Sequence, residues 1–287
     1  MSLREVAQKY NIHFKKALGQ NLLLDDNINR IMVDAAALTA GDSVIEVGAG
    51  LGALTVRMQP RAGRILAIEI DASFIPCLED QFRDCSNVVI FRGDVLNHDP
   101  RKLAEEFIPG APIYKVVANL PYYITTPILF HFWESALPLD RLVIMVQEEV
   151  AHRLTAAVDS PEYSVISLAA QFHAEVDIVH HVPATCFVPR PKVESCIVRL
   201  RSRRDPLFPD VDRAFLFKII RAAFLQRRKT LRNALTKSGA YGAPKEITLE
   251  ALEEAGVDPG RRAQTVSLHE FAAIARCLKA KLEAARA

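Results

Sequence analysis

The sequence predicts an α/β fold, with a mostly parallel, doubly wound sheet followed by a small all-helical domain. Two observations predict it. Short runs rich in Val and Ile alternate with helical patterns through the first part of the chain, as in folds built from repeated strand–helix units. Beyond the turn-rich segment at 203–212, only helical patterns follow. We therefore expect a sheet domain that holds the catalytic site at residues 1–202 and a helical domain at 203–287.

Seven short apolar runs are predicted to be strands. Five of them are rich in branched aliphatic residues, which is typical of buried parallel strands. These five are Ser43–Gly48, Ile65–Glu69, Val88–Arg92, Tyr114–Asn119 and Arg141–Gln147. The last two, Ala174–Val182 and Ser195–Arg201, enclose a short loop without a helical pattern. We expect this pair to be antiparallel and to lie at one edge of the sheet, because such a connection is too short for a parallel crossover.

Helical patterns occur between these strands and throughout the second domain. In the first domain they are Leu51–Met58, Ala72–Phe82, Lys102–Phe107 and a segment around Val165–His173. In the second domain they are Arg213–Leu225, Thr230–Lys237, Lys245–Ala255 and Leu268–Ala285. Their apolar residues recur at the spacing of one helix face, so we expect each helix to pack one side against a core.

The composition excludes several classes of protein. Half of the 287 residues are hydrophobic and 24% are charged, as in ordinary globular chains and not in disordered or collagen-like ones. No apolar run reaches the length of about 18 residues that a membrane span requires, and no signal peptide is apparent. The five cysteines form no C-x-x-C, and the histidines have no metal-ligand spacing. We therefore expect no metal site, no disulfide framework and a cytoplasmic location.

The net charge of +2 conceals an uneven distribution. Residues 1–200 contain 18 basic and 24 acidic residues, whereas residues 201–287 contain 18 basic and 10 acidic ones. No acidic residue occurs from Arg213 to Lys245. This excess of positive charge favours an acidic partner for the second domain, with nucleic acid as the leading candidate.

A glycine-rich turn between the first strand and the first helix is the strongest local signal. Gly48, Gly50 and Gly52 occupy this turn, and glycines let a backbone approach a ligand closely at a helix N-terminus that favours negative charge. Glu69 ends the next strand, where a carboxylate can accept hydrogen bonds from ribose hydroxyls. The pattern predicts a nucleoside-containing cofactor. NAD and S-adenosylmethionine both fit this pattern. Glu46, two residues before Gly48, favours S-adenosylmethionine.

Two more turns follow the third and fourth strands. Asp94 either accepts a hydrogen bond from the adenine amino group of a cofactor or caps the turn that it begins. The segment Asn119–Tyr122 suits the methylation of an exocyclic amino group. An Asn oxygen and a backbone carbonyl can each accept one N–H and so orient the nitrogen lone pair. Pro121 fixes the turn, and Tyr122 offers a flat face to a flipped-out base.

Eight motifs follow one another over most of the chain. They are Lys16–Leu23, Glu46–Ala53, Ala67–Asp71, Gly93–Asp94, Asn119–Ile124, Met145–Val150, Phe187–Val193 and Phe224–Leu231. Together they resemble the small-subunit ribosomal RNA adenine N6,N6-dimethyltransferases (the KsgA/RsmA family), and the bacterial members most closely. The resemblance implies a Rossmann-like, seven-stranded methyltransferase sheet and S-adenosylmethionine as cofactor. It also implies dimethylation of two adjacent adenosines near the 3′ end of 16S rRNA in an assembling 30S particle, as a step of ribosome biogenesis. We expect a monomer.

The resemblance also implies roles for individual residues. The cofactor-binding residues are Gln20, Asn21, Leu23, Gly48, Gly50, Gly52, Glu69, Asp94 and Asn119. The catalytic residues are Asn119, Leu120, Pro121, Tyr122 and Phe187. In this assignment Asn119 and the Leu120 carbonyl hold the target N6. Tyr122 stacks on the target base, and Phe187 covers its opposite face.

Four cations lie close together around the start of the second helical pattern of the C-terminal domain. They are Arg227, Arg228, Lys229 and Arg232. A run of this kind is often only a solvated surface. Here it follows an apparent base-methylation site, so we expect these residues to contact RNA phosphates, which gives affinity without sequence readout.

Two other functions are compatible with parts of this pattern. One is methylation of large-subunit rRNA adenine by an enzyme of the antibiotic-resistance type, which the Asn119 motif fits equally well. The other is a non-catalytic ribosome assembly factor. The intact set of Gly48, Glu69, Asp94 and Asn119 argues against lost catalysis.

Overall fold

The computed structural model describes residues 5, 9–10, 12, 21–23, 25–238 and 242–285 of the chain. Its strands are β1 (Leu22–Leu23), β2 (Ser43–Val47), β3 (Arg64–Glu69), β4 (Val88–Arg92), β5 (Tyr114–Asn119), β6 (Leu139–Gln147), β7 (Ala174–Val182), β8 (Phe187–Val188) and β9 (Ser195–Ser202). The seven predicted strands correspond to β2–β7 and β9. The two-residue strands β1 and β8 were not predicted.

The main sheet has the order β4-β3-β2-β5-β6-β9-β7. From β4 to β6 all neighbours are parallel. The chain builds outward from β2 through β3 to β4, and then returns to the other side of β2 with β5. The order of the strands therefore reverses between β2 and β5, and ligands of doubly wound sheets bind outside the carboxyl ends of the strands at such a point.

The last two strands of the sheet confirm the predicted antiparallel edge. β9 pairs antiparallel with β6, and β7 is the edge strand. Arg199 forms an ion pair with Asp177 at 2.8 Å, and the Cys196 sulfur lies 3.4 Å from His181 Nδ1. Because the partners on β7 and β9 follow one another in opposite order, these two strands also run antiparallel.

The helices include every segment predicted as helical, with shifted ends in several cases. In chain order they are α1 (Asp26–Ala36), α2 (Ala53–Met58), α3 (Ile75–Gln81), α4 (Pro100–Phe107), α5 (Thr125–Glu134), α6 (Glu148–Thr155), α7 (Val165–His173), α8 (Arg213–Leu225), α9 (Leu231–Ser238), α10 (Lys245–Glu254) and α11 (Leu268–Ala284). Helices α1, α5 and α6 were not predicted. None of the described helices combines the length and apolar character needed to cross a membrane.

Helix α1 shows how an unpredicted helix forms. The Asp25 side chain accepts a hydrogen bond from the Asn27 amide at 2.9 Å and so caps its N-terminus. Ile28, Met32 and Ala36 recur every four residues and are buried, which gives the helix an apolar face against the sheet.

The tertiary contacts divide the chain into two compact units. One comprises residues 1–151 and 175–202, and the other comprises 152–174 and 203–287. The predicted division at residue 202 differs in one segment, because 152–174 groups with the C-terminal helices. Two contacts explain the grouping: the Tyr163 hydroxyl donates to the Val266 carbonyl at 3.2 Å, and the Phe172 ring packs against Phe217 with centroids 5.4 Å apart.

Candidate active site

A cleft opens beside the carboxyl ends of β2, β3 and β5, where the strand order reverses. Its volume is about 860 Å³, counting the part that is open to solvent. The predicted site residues that line it are Asn21, Leu23, Gly48, Gly50, Glu69, Asn119, Leu120, Pro121 and Tyr122. The fold therefore brings together most of a set that is spread over about 100 positions of sequence.

The glycine turn forms one wall of the cleft. Gly48 and Gly50 have φ values of 77° and 55°, in the left-handed region that glycine adopts without strain. The amides of Gly48 and Ala49 donate to the Ile68 carbonyl at 2.9 and 3.2 Å, which ties the turn to β3. A Cβ on Gly48 would lie 3.8 Å from the Asn119 carbonyl oxygen. The glycine turn and the turn after β5 therefore face each other closely.

Glu69 links the end of β3 to the glycine turn. One carboxylate oxygen accepts the Gly50 amide at 2.7 Å, and the other accepts the Asp71 amide at 2.8 Å. The side chain is largely buried, and this burial raises its pKa although the backbone hydrogen bonds act in the opposite direction. Each carboxylate oxygen retains a second acceptor position, so Glu69 can also receive hydrogen bonds from a ligand in the cleft.

Glu46 is a second buried carboxyl of the cleft, and the sequence analysis did not include it among the site residues. It lies in β2, is 1% exposed, and accepts the Thr55 hydroxyl at 2.5 Å. Burial raises its pKa to about 8, and the neighbouring Glu69 charge adds to the rise. In the sequence Glu46 is the acid two residues before Gly48, which favours S-adenosylmethionine over NAD but was given no role in the site.

The turn after β5 carries the predicted catalytic residues. Asn119 is the last residue of β5, and the Leu120 amide donates to the Met145 carbonyl at 3.3 Å. The Pro121 carbonyl accepts the Ile124 amide at 3.2 Å, which closes a short helical turn. The Tyr122 hydroxyl lies 2.6 Å from the Ser195 hydroxyl at the start of β9. This turn is therefore fixed by hydrogen bonds to β6, within itself and to β9.

Two predicted cofactor residues do not line the cleft. Gly52 has a φ of 76° and precedes α2, and a Cβ there would come within 2.9 Å of the Phe82 ring. Close packing against the segment after α3 therefore explains this glycine. The Asp94 carboxylate accepts the Leu96 amide at 3.0 Å and caps a short helical turn, which is the alternative that the sequence left open. Contact of either residue with a cofactor stays a prediction.

Phe187, which is expected to cover the target base, is not among the residues that line the cleft. It pairs with Leu23 between β8 and β1, and it is 2% exposed. Its neighbours in the apolar core include Met32 and Ile197. Its contact with the target base stays a prediction. Gln20, the remaining predicted cofactor residue, lies outside the described residues.

Ile70 and Phe74 are cleft residues that the sequence analysis did not identify. Both line the cleft next to Glu69, and Ile70 is 48% exposed. Its position is the signal that could have identified it, since Ile70 directly follows Glu69 at the carboxyl end of a parallel strand, where ligands bind. Asn29, a buried polar residue of α1, also lines the cleft.

The four predicted RNA-binding cations lie in the second unit. Arg227, Arg228 and Lys229 connect α8 to α9, Arg232 lies in α9, and all four are exposed. The Arg227 guanidinium donates to the Pro161 carbonyl. The connection thus presents a concentrated positive charge to solvent, and its contact with RNA stays a prediction.

A sheet of this order, with a cleft at its reversal point and an acid at the end of β3, defines a Rossmann-like protein with a site for a nucleoside-containing cofactor. The sequence profile of the ribosomal RNA adenine dimethylase family matches residues 11–279. The chain belongs to this family, and it is an rRNA adenine dimethyltransferase that uses S-adenosylmethionine.

Two bacterial relatives match nearly the whole chain. It is 43% identical to ribosomal RNA small subunit methyltransferase A of Bacillus mycoides (strain KBAB4) over 277 residues, which cover 96% of this chain and 94% of that protein. The protein of the same name from Bacillus cereus (strain AH187) is 42% identical with the same coverage. The family that the motifs indicated is thus confirmed.

Two solved structures share the fold. The dimethyladenosine transferase from Plasmodium falciparum has a TM-score of 0.77 at 24% identity, covering 91% of this chain and 98% of that one. The 23S rRNA methyltransferase ErmE has a TM-score of 0.65 at 23% identity, covering 90% and 99%. At these identities the likeness concerns the fold alone, and it agrees with the predicted fold class.

Proposed function

We propose that this chain dimethylates N6 of two adjacent adenosines in a loop near the 3′ end of 16S rRNA, within an assembling 30S particle. The observation that carries the proposal is the close approach of the glycine turn to Asn119 in one cleft. The two relatives named small subunit methyltransferase A support the choice of RNA. We further propose that the protein acts as a monomer in the cytoplasm, a reducing compartment that suits its free cysteines.

The glycine turn and Glu69 would hold the cofactor. Gly48 and Gly50 leave room for its methionine part because neither carries a side chain that would project into the cleft. Glu69 would accept hydrogen bonds from the ribose hydroxyls, and the exposed side chain of Ile70 would contact one face of the adenine. When bound, the cofactor supplies a methyl group on a positively charged sulfur. Asn21 and Leu23 would border it from the N-terminal segment.

Asn119 and Leu120 would orient the target nitrogen. The lone pair of an exocyclic amine is delocalised into the base, so the amine is a poor nucleophile. The Asn119 side-chain oxygen and the Leu120 carbonyl would each accept one N–H and favour a pyramidal nitrogen with its lone pair toward the methyl carbon. Held in this way, the nitrogen would be in line for attack on the methyl carbon, and the cofactor's sulfur would be the leaving group. The amine proton then passes to water, so the contribution of the chain is mainly orientation.

Tyr122 would stack on the flipped-out adenine. Its hydroxyl is 2.6 Å from the hydroxyl of Ser195, which is fully buried. Burial also raises the pKa of Tyr122, so the hydroxyl stays protonated and able to hydrogen-bond. The pair would fix the angle of the ring against the base, whichever hydroxyl donates. Arg227, Arg228, Lys229 and Arg232 would contribute phosphate contacts elsewhere on the RNA.

Transfer of labelled methyl groups to immature small and large ribosomal subunits tests the proposal. We expect label in the small-subunit RNA with the native protein, and none with Asn119→Ala although that variant still binds S-adenosylmethionine. Label in the large-subunit RNA alone would identify an enzyme of the antibiotic-resistance type. An absence of label in both RNAs would favour a non-catalytic assembly factor.

A further inference from the structure

Three potential metal ligands meet at one end of the antiparallel strands. They are Glu148 at the start of α6, His181 in β7 and Cys196 in β9. The Cys196 sulfur is 3.4 Å from His181 Nδ1, and His181 Nδ1 is 3.5 Å from a Glu148 carboxylate oxygen. All three ligand atoms lie within 4.8 Å of one another. The residues are far apart in the chain, so no ligand spacing was visible in the sequence.

These distances suit a tetrahedral ion. Thiolate, imidazole and carboxylate ligands lie about 2.0–2.3 Å from zinc, so neighbouring ligand atoms around one zinc ion are separated by about 3.3–3.7 Å. The two distances that involve His181 already fall in this interval. The third distance, between the Cys196 sulfur and the Glu148 oxygen, is at most 4.8 Å. The Glu148 side chain can move to bring this distance into the interval, because it is 43% exposed.

The chemistry of the three ligands also favours zinc. A thiolate with an imidazole selects borderline and soft divalent ions over magnesium or calcium, which prefer oxygen ligands. Cys196 is fully buried, whereas the His181 side chain is 63% exposed. The cluster is therefore anchored in the sheet and open on one side, where water can complete four-coordination. Binding replaces the thiol proton by the metal, and the proton passes to the buffer.

We propose that Glu148, His181 and Cys196 form a binding site for one zinc ion. The ion would join the start of α6 to β7 and β9. Ser195, the partner of Tyr122, directly precedes Cys196, so the ion would also stiffen the strand end that holds the base-stacking ring. The proposal departs from the expectation of no metal site, and it does not depend on which RNA is methylated.

Titration of zinc alone into the full-length, untagged, metal-free chain by calorimetry tests the site. We expect one zinc per chain, and an affinity that falls at least about tenfold in Cys196→Ala and in His181→Ala. His180→Ala is the matched control, since it removes the neighbouring imidazole of β7 and should leave the affinity unchanged. Because His181 is mostly exposed, its replacement leaves no core cavity. Circular dichroism checks that each variant folds.

Cobalt(II) gives an independent readout. We expect the native protein to show thiolate-to-cobalt charge-transfer absorption in the near ultraviolet, and Cys196→Ala to lose it while Cys186→Ala retains it. Equal zinc affinity in the native, Cys196→Ala and His181→Ala proteins would overturn the proposal. So would cobalt binding without the charge-transfer band. Neither readout uses methyl transfer, so a failure of the metal site is distinguishable from a failure of the proposed function.

Discussion

The buried carboxyl of Glu46 predicts a specific dependence of stability on pH. Glu46 is 1% exposed and has the Thr55 hydroxyl as a hydrogen-bond donor. Burial raises its pKa from 4.5 to about 8. In the folded protein the group therefore keeps its proton over an interval in which the unfolded chain has lost it. The unfolded state binds fewer protons there, so the free energy of unfolding falls as pH rises through this interval.

The size of the effect follows from the width of the interval. A pKa that differs by one between the folded and unfolded states changes the free energy of unfolding by about 1.4 kcal/mol. The rise of the Glu46 pKa from 4.5 to about 8 therefore gives roughly 5 kcal/mol as an upper limit. Glu46→Gln removes the titration and keeps the shape and an oxygen that can accept the Thr55 hydroxyl. We expect the variant to gain a few kcal/mol of stability relative to the native protein between about pH 5 and about pH 8.

Urea unfolding followed by tryptophan fluorescence measures this difference. Trp133 is the single tryptophan of the chain and is 6% exposed, so its emission reports on the sheet unit. Glu79→Gln, at an exposed position of α3, is the control and should follow the native protein at each pH. If the curves of native protein and Glu46→Gln stay parallel across this range, Glu46 is ionised in the folded state and the reasoning from burial is wrong.

Four other replacements test roles in the cleft and on the surface. Asn119→Ala should abolish methyl transfer and leave the Kd for S-adenosylmethionine nearly unchanged; full activity would refute its assigned role. Glu69→Gln should weaken cofactor binding, measured by calorimetry, by about tenfold or more because a hydrogen bond to a charged group contributes about 1.5–3 kcal/mol. Replacing all of Arg227–Lys229 by Ala should lower RNA affinity and reduce the slope of log K against log salt by about 2–3, and an unchanged slope would mean that these cations do not contact phosphate. Ser195→Ala should lower kcat several-fold with cofactor affinity retained, because Tyr122 loses its hydroxyl partner; an unchanged kcat would show that the pair does not position the ring.

The strands of the sheet could be predicted because their residues are of the types that favour strands and because they are placed within a sheet. Runs such as Val88–Arg92 and Tyr114–Asn119 are short and β-branched, and they lie in the sheet as expected. Helix α5 was missed because its apolar residues surround the whole helix and give no single face. The segment 152–174 groups with the C-terminal helices through tertiary contacts such as that of Tyr163 with Val266, which no sequence pattern indicates.

The candidate site was predictable where backbone geometry decides it. Gly48, Gly50 and Asn119 converge because parallel strands end at the same edge of the sheet. Phe187 and Asp94 were less predictable because a side chain has several possible environments. The Phe187 ring packs in the core, and the Asp94 carboxylate caps a turn. The sequence gives no sign of the proposed zinc ligand His181, because its partners come from other elements.

The identity of the methylated nucleotides tests the central claim most directly. Immature small subunits are incubated with the protein and S-adenosylmethionine, and nuclease fragments of their RNA are analysed by mass spectrometry. We expect that two adjacent adenosines in a loop near the 3′ end each carry two methyl groups on N6. Methyl groups at another position, on another atom of the base or on large-subunit RNA alone would contradict it.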